Sequence, residues 1–231
     1  MNIPRSSLIS IPTYKRPFPI KLGTTALIII DMQNDFCHPD GFSSSKLGLD
    51  ITATRQIIPS IQRLLTWARQ EEILIVYTKE SHRPDLSDLT ASKKLRHENA
   101  GFPIGALGQM GKCLIQGEQG TEIINELQPS ESEAQVDKPE HSAFANSDLE
   151  SILRRKGITN LLITGVTTEC CVLGTYRHAS DLGFFCLLLE DCCAAFNERD
   201  HKAAIEVVLA ENGAIGWVTS STKLLSAMKK R

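Results

Sequence analysis

The chain has 231 residues, 42% of them hydrophobic and 23% charged, with a formal net charge of −2. This composition is typical of a globular protein with a substantial core, and it does not indicate disorder. Lysine and arginine are scattered, so the chain lacks the basic face that phosphate groups require, and we predict no nucleic-acid binding. No apolar run approaches the ~18 residues of a membrane span, and prolines interrupt the N-terminus where a signal peptide needs an unbroken apolar stretch, so we predict no membrane partner.

The seven cysteines do not resemble a disulfide framework, because their number is odd and two pairs, Cys170-Cys171 and Cys192-Cys193, are adjacent in sequence. This usage is typical of a reducing compartment, and we predict a cytoplasmic protein. No C-x-x-C pair or Cys/His cluster has the spacing of zinc ligands. The sequence therefore predicts neither a metal nor another cofactor.

Residues 1–22 are rich in proline and aperiodic, and we interpret them as an N-terminal arm that lies on the domain or on a neighbouring subunit. The predicted strands that follow are short apolar runs: TTALIIIDM, ILIVYTKE, AQVDK, LLITG, FFCLLLED and IGWVTS. The predicted helices are ITATRQIIPSIQRLLTWARQEE, EIINEL, SDLESILRRKGI, ECCVLGTYRHASDLG, HKAAIEVVLAENG and TKLLSAMKK. Residues 79–120 have little periodicity, and we predict a long excursion there.

Alternating strands and helices predict an α/β protein: a single doubly wound domain over residues 23–231, whose central, mostly parallel sheet has helices on both faces. Ligands of such folds bind beyond the carboxyl ends of the strands. Three predicted strands end in reactive side chains, since Asp31 follows ALIII, Lys138 follows AQVD and Cys171 lies just beyond LLITG. We therefore expect a carboxylate, an ammonium group and a thiol at one edge of the sheet.

The doublet Cys170-Cys171 follows the point where a strand pattern breaks at Gly165 and a helix pattern begins. A thiol in the first turn of a helix lies near unpaired N–H groups and the positive end of the helix dipole, which lower its pKa. This pattern indicates a reactive cysteine but does not choose between Cys170 and Cys171. Adjacent cysteines form a strained ring when bonded, so a thiol redox protein is the weaker interpretation.

Three motifs, ALIIIDMQNDF, DKPEHSAF and GVTTECCV, resemble in order those of the isochorismatase-like cysteine hydrolases, over residues 24–220. The likeness is greatest for the branch of biuret hydrolase and ureidoacrylate hydrolase. It implies that Cys171 is the nucleophile, Asp31 the catalytic acid and base, and Lys138 the third catalytic residue. It also implies an oxyanion hole made of the backbone N–H groups of Thr167 and Cys171, next to a cis peptide that precedes Thr167.

The resemblance implies a cysteine-dependent amidohydrolase that cleaves a C–N bond of a small linear amide or ureide, of the biuret type, through a thioester. Lys138 and the helix start would lower the pKa of Cys171, which we therefore expect to be alkylated before Cys170. Two alternatives stay open: a nicotinamidase-like amidase, and a family member without turnover that acts as a binding protein. Because family members are often dimers or tetramers, the resemblance also implies a homo-oligomer.

Four residues are assigned to substrate recognition by the same resemblance. Phe36 and Phe144 match aromatic pocket positions of the family. His141 stands where the biuret hydrolase pattern has a lysine, and Glu211 stands where it has a glutamine. Because an ionised carboxyl group only accepts hydrogen bonds, Glu211 is expected to favour substrates with additional N–H donors or positive charge.

Nicotinamidases commonly bind a metal through an Asp-x-His motif and a further histidine, and the resemblance allows a comparison with that set. This chain has only His82 in the corresponding segment, followed by Arg83 and Pro84. The set is incomplete, so we expect no catalytic metal and interpret His82 as a histidine on the surface or behind the site.

Overall fold

The N-terminal segment folds as a hairpin on the rest of the domain in the computed structural model, which describes residues 4–229. Its two strands are β1 (Ile9–Ile11) and β2 (Phe18–Ile20), and they pair antiparallel. Ile11, Phe18 and Ile20 are fully buried. The predicted arm therefore lies on its own domain and contributes to its core.

The remaining strands are β3 (Thr25–Ile30), β4 (Leu74–Glu80), β5 (Leu107–Gly108), β6 (Gly111–Lys112), β7 (Ala134–Lys138), β8 (Asn160–Val166), β9 (Phe185–Ala194) and β10 (Trp217–Thr219). Six of them form one sheet in the order β10-β9-β8-β3-β4-β7, and every neighbouring pair is parallel. Strands β5 and β6 form a small antiparallel ribbon. The prediction of a doubly wound α/β fold is confirmed.

The helices are α1 (Asn34–Cys37), α2 (Phe42–Ser45), α3 (Thr52–Gln56), α4 (Ile58–Gln70), α5 (Ala91–Asn99), α6 (Leu149–Arg155), α7 (Leu173–Asp181), α8 (Glu198–Gly213) and α9 (Ser221–Lys229). They lie on both faces of the sheet and bury two apolar clusters. Leu27 and Ile29 of β3 pack with α4 and α9, whereas Ile28 and Ile30 pack with α6, α7 and α8. This alternation is the period-two pattern of a strand buried on both faces. No helix within residues 4–229 is long and apolar enough to cross a membrane.

Helix α5 lies within residues 79–120, where the sequence predicts a long excursion with little periodicity. Its polar sequence, ASKKLRHEN, has no apolar stripe, which is why helical periodicity did not predict it. The side chain of Thr90 accepts a hydrogen bond from the Lys93 N–H at 3.2 Å and caps the helix start. Another prediction was partly wrong, because EIINEL forms only a short 3₁₀ turn, Asn125–Leu127.

Candidate active site

The three catalytic residues expected from the sequence lie together at the carboxyl edge of the sheet. Asp31 follows β3, Lys138 ends β7, and Cys171 lies in a π-helical turn, Thr168–Val172, between β8 and α7. The Lys138 ammonium is 2.8 Å from Asp31 Oδ2 and 3.4 Å from Cys171 Sγ. All three side chains are buried. Such a set can generate a sulfur nucleophile and move its proton.

Strand β8 approaches β3 closely just before this turn. Gly165 pairs with Ile30 and has a φ of +112°, and a Cβ at this position would lie 2.0 Å from the Ile30 carbonyl oxygen. Only glycine fits such an approach. The next peptide, between Val166 and Thr167, is cis, as the resemblance implies.

The Asp31 carboxylate is held in one orientation. The residue has a φ of +49°, which is uncommon for a residue other than glycine, and its N–H donates to the Thr78 carbonyl oxygen at 3.1 Å. The Thr78 hydroxyl donates to Oδ1 at 2.6 Å, which leaves Oδ2 to face Lys138. An Asp31 oxygen and the Cys171 sulfur lie within 4.8 Å of one another. Backbone strain held by neighbouring bonds is common at functional sites.

Glu80, at the end of β4, is a site residue that the sequence reasoning missed. Its Oε2 accepts a hydrogen bond from the Cys171 thiol at 3.3 Å and lies 3.6 Å from Lys138 Nζ. Burial alone would raise the pKa of Glu80, but Lys138 and Lys93 outweigh burial and bring the pKa below its ordinary value. Glu80 ends the strand ILIVYTKE just as Asp31 follows its own strand, so the same strand-end signal was available in the sequence.

Lys93 of α5 was also missed, because its helix was not predicted. The side chain is fully buried, and Nζ lies 2.6 Å from Glu80 Oε1 and 2.5 Å from the Pro139 carbonyl oxygen. Asp31, Lys138, Glu80 and Lys93 therefore form a row of alternating negative and positive charges. Burial opposes the charge on Lys138, but Asp31, Cys171 and Glu80 raise its pKa above the ordinary value. The row therefore keeps Lys138 charged.

The two adjacent thiols differ in their surroundings. The neighbouring Cys171 lowers the pKa of Cys170 to about 5, against the effect of burial and with help from His141. Cys170, and then burial, raise the pKa of Cys171, and Lys138 offsets them only in part. Cys170 is also partly exposed, whereas Cys171 is buried. The expectation of a lowered pKa at Cys171 is therefore wrong for the resting protein, and we now expect Cys170, the more exposed of the two thiols, to be alkylated first.

A row of aromatic rings lies next to the charged residues. The Phe36 and Phe102 centroids are 6.3 Å apart, those of Phe102 and His97 are 5.6 Å apart, and those of His97 and His141 are 6.1 Å apart. His97 and His141 each place a ring nitrogen within 4.8 Å of a Glu80 oxygen. Two of the residues predicted to bind substrate, Phe36 and His141, therefore lie at the ends of this row.

Phe144, the third residue predicted to bind substrate, has a different environment. Its ring contacts those of His178 and Phe184, with centroids 5.6 Å and 5.7 Å away. His178 lies towards the end of α7, and Phe184 immediately precedes β9. These contacts make Phe144 part of the apolar packing beneath α7.

The assignment of Glu211 to substrate binding is wrong, because the residue lies at the opposite edge of the sheet. Helix α8 starts beyond the carboxyl end of β9, where His201 Nδ1 is 2.8 Å from Thr168 Oγ1. From His201 the helix continues to Leu209, which corresponds to ~12 Å, and Glu211 lies just beyond a break in the helix at Ala210. Its neighbour Gly213 lies against Lys15 of the N-terminal segment, and Glu211 itself is exposed.

The donor groups at this edge do not fit a bound metal ion. Glu80, His97 and His141 lie close enough together to share one, but Glu80 already pairs with two ammonium groups. A divalent cation would therefore meet the repulsion of Lys93 and Lys138. His82 is fully buried rather than on the surface, with Nδ1 3.2 Å from Asp88 Oδ1, and burial lowers the pKa of its ring.

A cavity of about 670 Å³ lies beyond the end of β9, apart from the catalytic residues. It is lined by residues of α3, the end of β9 and the start of α8, including Asp50, Gln56 and His201. None of Asp31, Lys138 and Cys171 borders it. We therefore place the reactive site at the charged row and not in this cavity.

Comparison with known proteins places this geometry in a family. The isochorismatase domain family matches residues 25–222. The ureidoacrylate amidohydrolase RutB of Yersinia enterocolitica is 35% identical over 210 residues, covering 88% of this chain and 90% of that protein. An isochorismatase family protein from Desulfovibrio vulgaris superposes with a TM-score of 0.72 at 27% identity, covering 89% of this chain and 98% of that one. The nicotinamidase PncA from Bacillus subtilis gives a TM-score of 0.65 at 28% identity, with coverages of 85% and 99%.

The family match spans all the strands of the central sheet and the three motifs that contain the reactive residues. The solved relatives share the fold over nearly their whole length. The resemblance drawn from the motifs is confirmed, and the chain belongs to the isochorismatase family.

Proposed function

We propose that this protein is a cysteine-dependent amidohydrolase that cleaves a C–N bond of a small linear amide or ureide through a thioester. The observation that carries the proposal is the buried contact of the Cys171 thiol with Lys138, which is itself paired with Asp31. The similarity to a ureidoacrylate amidohydrolase supports the same reaction class.

In the first half-reaction, the Cys171 thiol transfers its proton to Asp31 and the sulfur attacks the substrate carbonyl carbon. Lys138 stabilises the thiolate while it forms, because its ammonium lies 3.4 Å from the sulfur. The tetrahedral oxyanion is assigned to the backbone N–H groups of Thr167 and Cys171, which would stabilise it by some 3 kcal/mol each. The C–N bond then breaks, and Asp31 returns the proton to the leaving nitrogen.

In the second half-reaction, Asp31 accepts a proton from a water molecule, whose oxygen attacks the thioester carbon. The C–S bond breaks, the sulfur regains a proton, and the acid product leaves. One carboxylate serves both halves because it is deprotonated again once the amine has departed. The fixed orientation of Asp31 Oδ2 toward Lys138 is consistent with this double use.

A linear substrate agrees better with the site than nicotinamide does. The space beside Cys171 is bordered by the charged residues Glu80 and Lys93, and the donor set does not fit the metal that nicotinamidases commonly bind. We assign Phe36 and His141 to substrate contacts, since they lie at the ends of the aromatic row next to Glu80. A member without turnover is disfavoured, because all three catalytic groups are present and in contact.

We further propose a cytoplasmic homo-oligomer, a dimer or a tetramer. The seven cysteines are all free, which suits a reducing compartment. The oligomeric state follows from the resemblance, and size-exclusion chromatography with light scattering measures it directly.

The test is acid quenching during turnover with a panel of biuret, carbamoyl acids, nicotinamide and aliphatic amides. We expect release of ammonia or amine and a transient acyl adduct on the Cys171 peptide, detected by mass spectrometry. Release of amine without any adduct in rapid-quench samples would contradict the thioester. An adduct on Cys170 would contradict the choice of nucleophile.

A further inference from the structure

Glu80 is a second carboxylate at the nucleophile, and the mechanism above leaves it without a role. Its Oε2 accepts a hydrogen bond from the Cys171 thiol at 3.3 Å, so it contacts the sulfur that attacks the substrate. Asp31 comes from the neighbouring strand, and its carboxylate, that of Glu80 and the sulfur all lie within 4.8 Å of one another. The carbonyl group that Cys171 attacks is therefore within reach of two carboxylates.

Polar contacts fix both the backbone and the carboxylate of Glu80. The side-chain amide of Gln33 accepts the Glu80 N–H at 2.8 Å and donates to the Glu80 carbonyl oxygen at 3.0 Å. The carboxylate pairs with Lys93 at Oε1 and with Lys138 at Oε2, and both lysines are fully buried. Two buried cations keep this group ionised, so it can only accept hydrogen bonds.

The hydrogen bond from the Cys171 thiol to Glu80 Oε2 is lost during the reaction. Lys93 bonds to Oε1, and the 3.6 Å between Lys138 Nζ and Oε2 is longer than a hydrogen bond, so the Cys171 thiol is the hydrogen-bond donor to Oε2 within residues 4–229. When Cys171 gives its proton to Asp31, Oε2 loses that donor. A buried carboxylate oxygen without a hydrogen-bond donor is unfavourable. A substrate N–H next to the attacked carbon would replace the donor that Oε2 has lost.

Amides and ureides differ at this point. An amide carries nitrogen on one side of its carbonyl carbon, and that nitrogen leaves. A ureide, R–NH–CO–NH₂, carries nitrogen on both sides, so one leaves with the proton from Asp31 and the other stays on the thioester as a carbamoyl group. Addition of water to that thioester gives the carbamic acid and restores the thiol, which balances the reaction.

We propose that Glu80 accepts a hydrogen bond from the nitrogen that stays on the acyl group and thereby selects ureides over amides. This inference rests on the proposed function and names the substrate class of the same site. Lys93 is a positioning residue, because it contacts Glu80 and the Pro139 carbonyl oxygen and holds the carboxylate in place. A site built to bond an N–H group can reject an analogue that lacks it by up to about 10⁴-fold.

The experiment compares β-ureidopropionate with glutaramate, which differ only in that an NH group next to the carbonyl is replaced by CH₂. The parent is expected to show a kcat/KM at least ~100-fold higher for the ureide. In Glu80→Gln combined with Lys93→Met, which keeps the net charge, the ratio should fall to within ~10-fold of unity, mainly through loss of ureide activity. Comparing the two ratios cancels the different intrinsic reactivity of ureides and amides.

The matched control is Glu98→Gln combined with Lys94→Met, since this pair is exposed on the same helix, with 3.9 Å between its charged atoms. It should leave the ratio unchanged. A parent that cleaves both substrates equally well, or a ratio that Glu80→Gln with Lys93→Met does not change, overturns the inference while the amidohydrolase proposal stands. If the parent cleaves neither, calorimetry on Cys171→Ala decides: preferential binding of the ureide supports the inference, and equal or absent binding overturns it.

Discussion

Two regions of the chain contain the same dipeptide, Cys-Cys, in opposite environments. Cys192-Cys193 lies within β9, where both side chains are buried and the Cys193 thiol is 3.7 Å from the Ile163 carbonyl oxygen. Burial raises the pKa of both of these thiols. Cys170-Cys171 lies in a turn beyond the carboxyl end of β8, among charged side chains. Burial therefore favours the protonated form of the pair in β9, whereas Cys171 in the turn lies beside groups that can accept and return a proton.

A neighbouring carboxylate does not distinguish the two regions. Asp191 precedes the pair in β9, but its oxygens accept bonds from the Ser221 N–H and hydroxyl at 2.6 Å and 2.7 Å, so it caps the start of α9. Asp31 instead faces Lys138, which contacts a thiol. What distinguishes Cys171 is therefore a cation that contacts both a carboxylate and the thiol, an arrangement that stabilises a thiolate as it forms.

The largest expected effect concerns the sulfur itself. Cys171→Ala should reduce kcat by at least ~10⁴-fold, because it removes the thiol that contacts Lys138 and forms the thioester. Cys170→Ala should keep most of the activity, since Lys138 contacts only Cys171 of the two thiols. Steady-state assays of product release measure both.

Cys193→Ala is the matched control in the other region, and it should keep kcat within a few-fold. Equal losses in Cys170→Ala and Cys171→Ala would remove the basis for choosing one thiol. A large loss in Cys193→Ala, with the fold intact by circular dichroism, would show that the region in β9 is not silent.

The next effect concerns the carboxylates of the two regions. Asp31→Asn should lower kcat by about 10²–10⁴-fold while the substrate still binds, because an amide cannot accept the thiol proton. No acyl adduct should form on Cys171 in quenched samples. Asp191→Asn keeps an oxygen for the Ser221 N–H, so it should leave kcat nearly unchanged and lower only the thermal stability. An acyl adduct that still accumulates in Asp31→Asn would assign the first proton transfer to another group, with Glu80 the nearest candidate.

The half of the site made of strand ends could be predicted from sequence. Buried parallel strands read as apolar runs, and the residues at their carboxyl ends meet because neighbouring strands point the same way. This rule predicts that Asp31, Lys138 and Cys171 lie at the same edge of the sheet. Glu80 obeys the same rule, and a consistent application of it to ILIVYTKE would have found it.

The half of the site contributed by the excursion could not be predicted. Helix α5 has no apolar stripe, so periodicity does not indicate that Lys93 is buried. His97 lies on the same helix, and its approach to Glu80 depends on how that helix packs. The substrate-binding prediction for Glu211 was wrong for a related reason. It rested on a match to a family position, whereas α8 leads the chain back to the other edge of the sheet before Glu211.

The smallest effect on turnover is expected at Cys170, although its labelling should change most clearly with pH. Because its pKa is lowered to about 5, the thiolate should dominate above that value. Alkylation of Cys170 by iodoacetamide should therefore rise between about pH 4 and pH 6 and stay level above it, whereas an ordinary thiol with a pKa of about 8.5 would still be rising at pH 9. Peptide mass spectrometry should find Cys192 and Cys193 unlabelled in the folded protein. Labelling of Cys170 therefore reports the exposure and the charge of its thiol, and it does not identify the catalytic nucleophile.

His141 is the part of this microenvironment that can be removed without touching either thiol. A hydrogen bond with Cys170 raises the pKa of His141, and His141 in turn lowers that of Cys170. His141→Ala should therefore move the midpoint of Cys170 alkylation to higher pH, because the thiolate loses one of the partners that stabilise it. His38→Ala, at a partly exposed histidine beside Asp40, serves as the control and should leave the midpoint in place. A midpoint that stays near pH 5 in His141→Ala would leave Cys171 as the dominant partner of Cys170, and a midpoint near 8.5 in the parent would contradict the contrast between the two cysteine pairs.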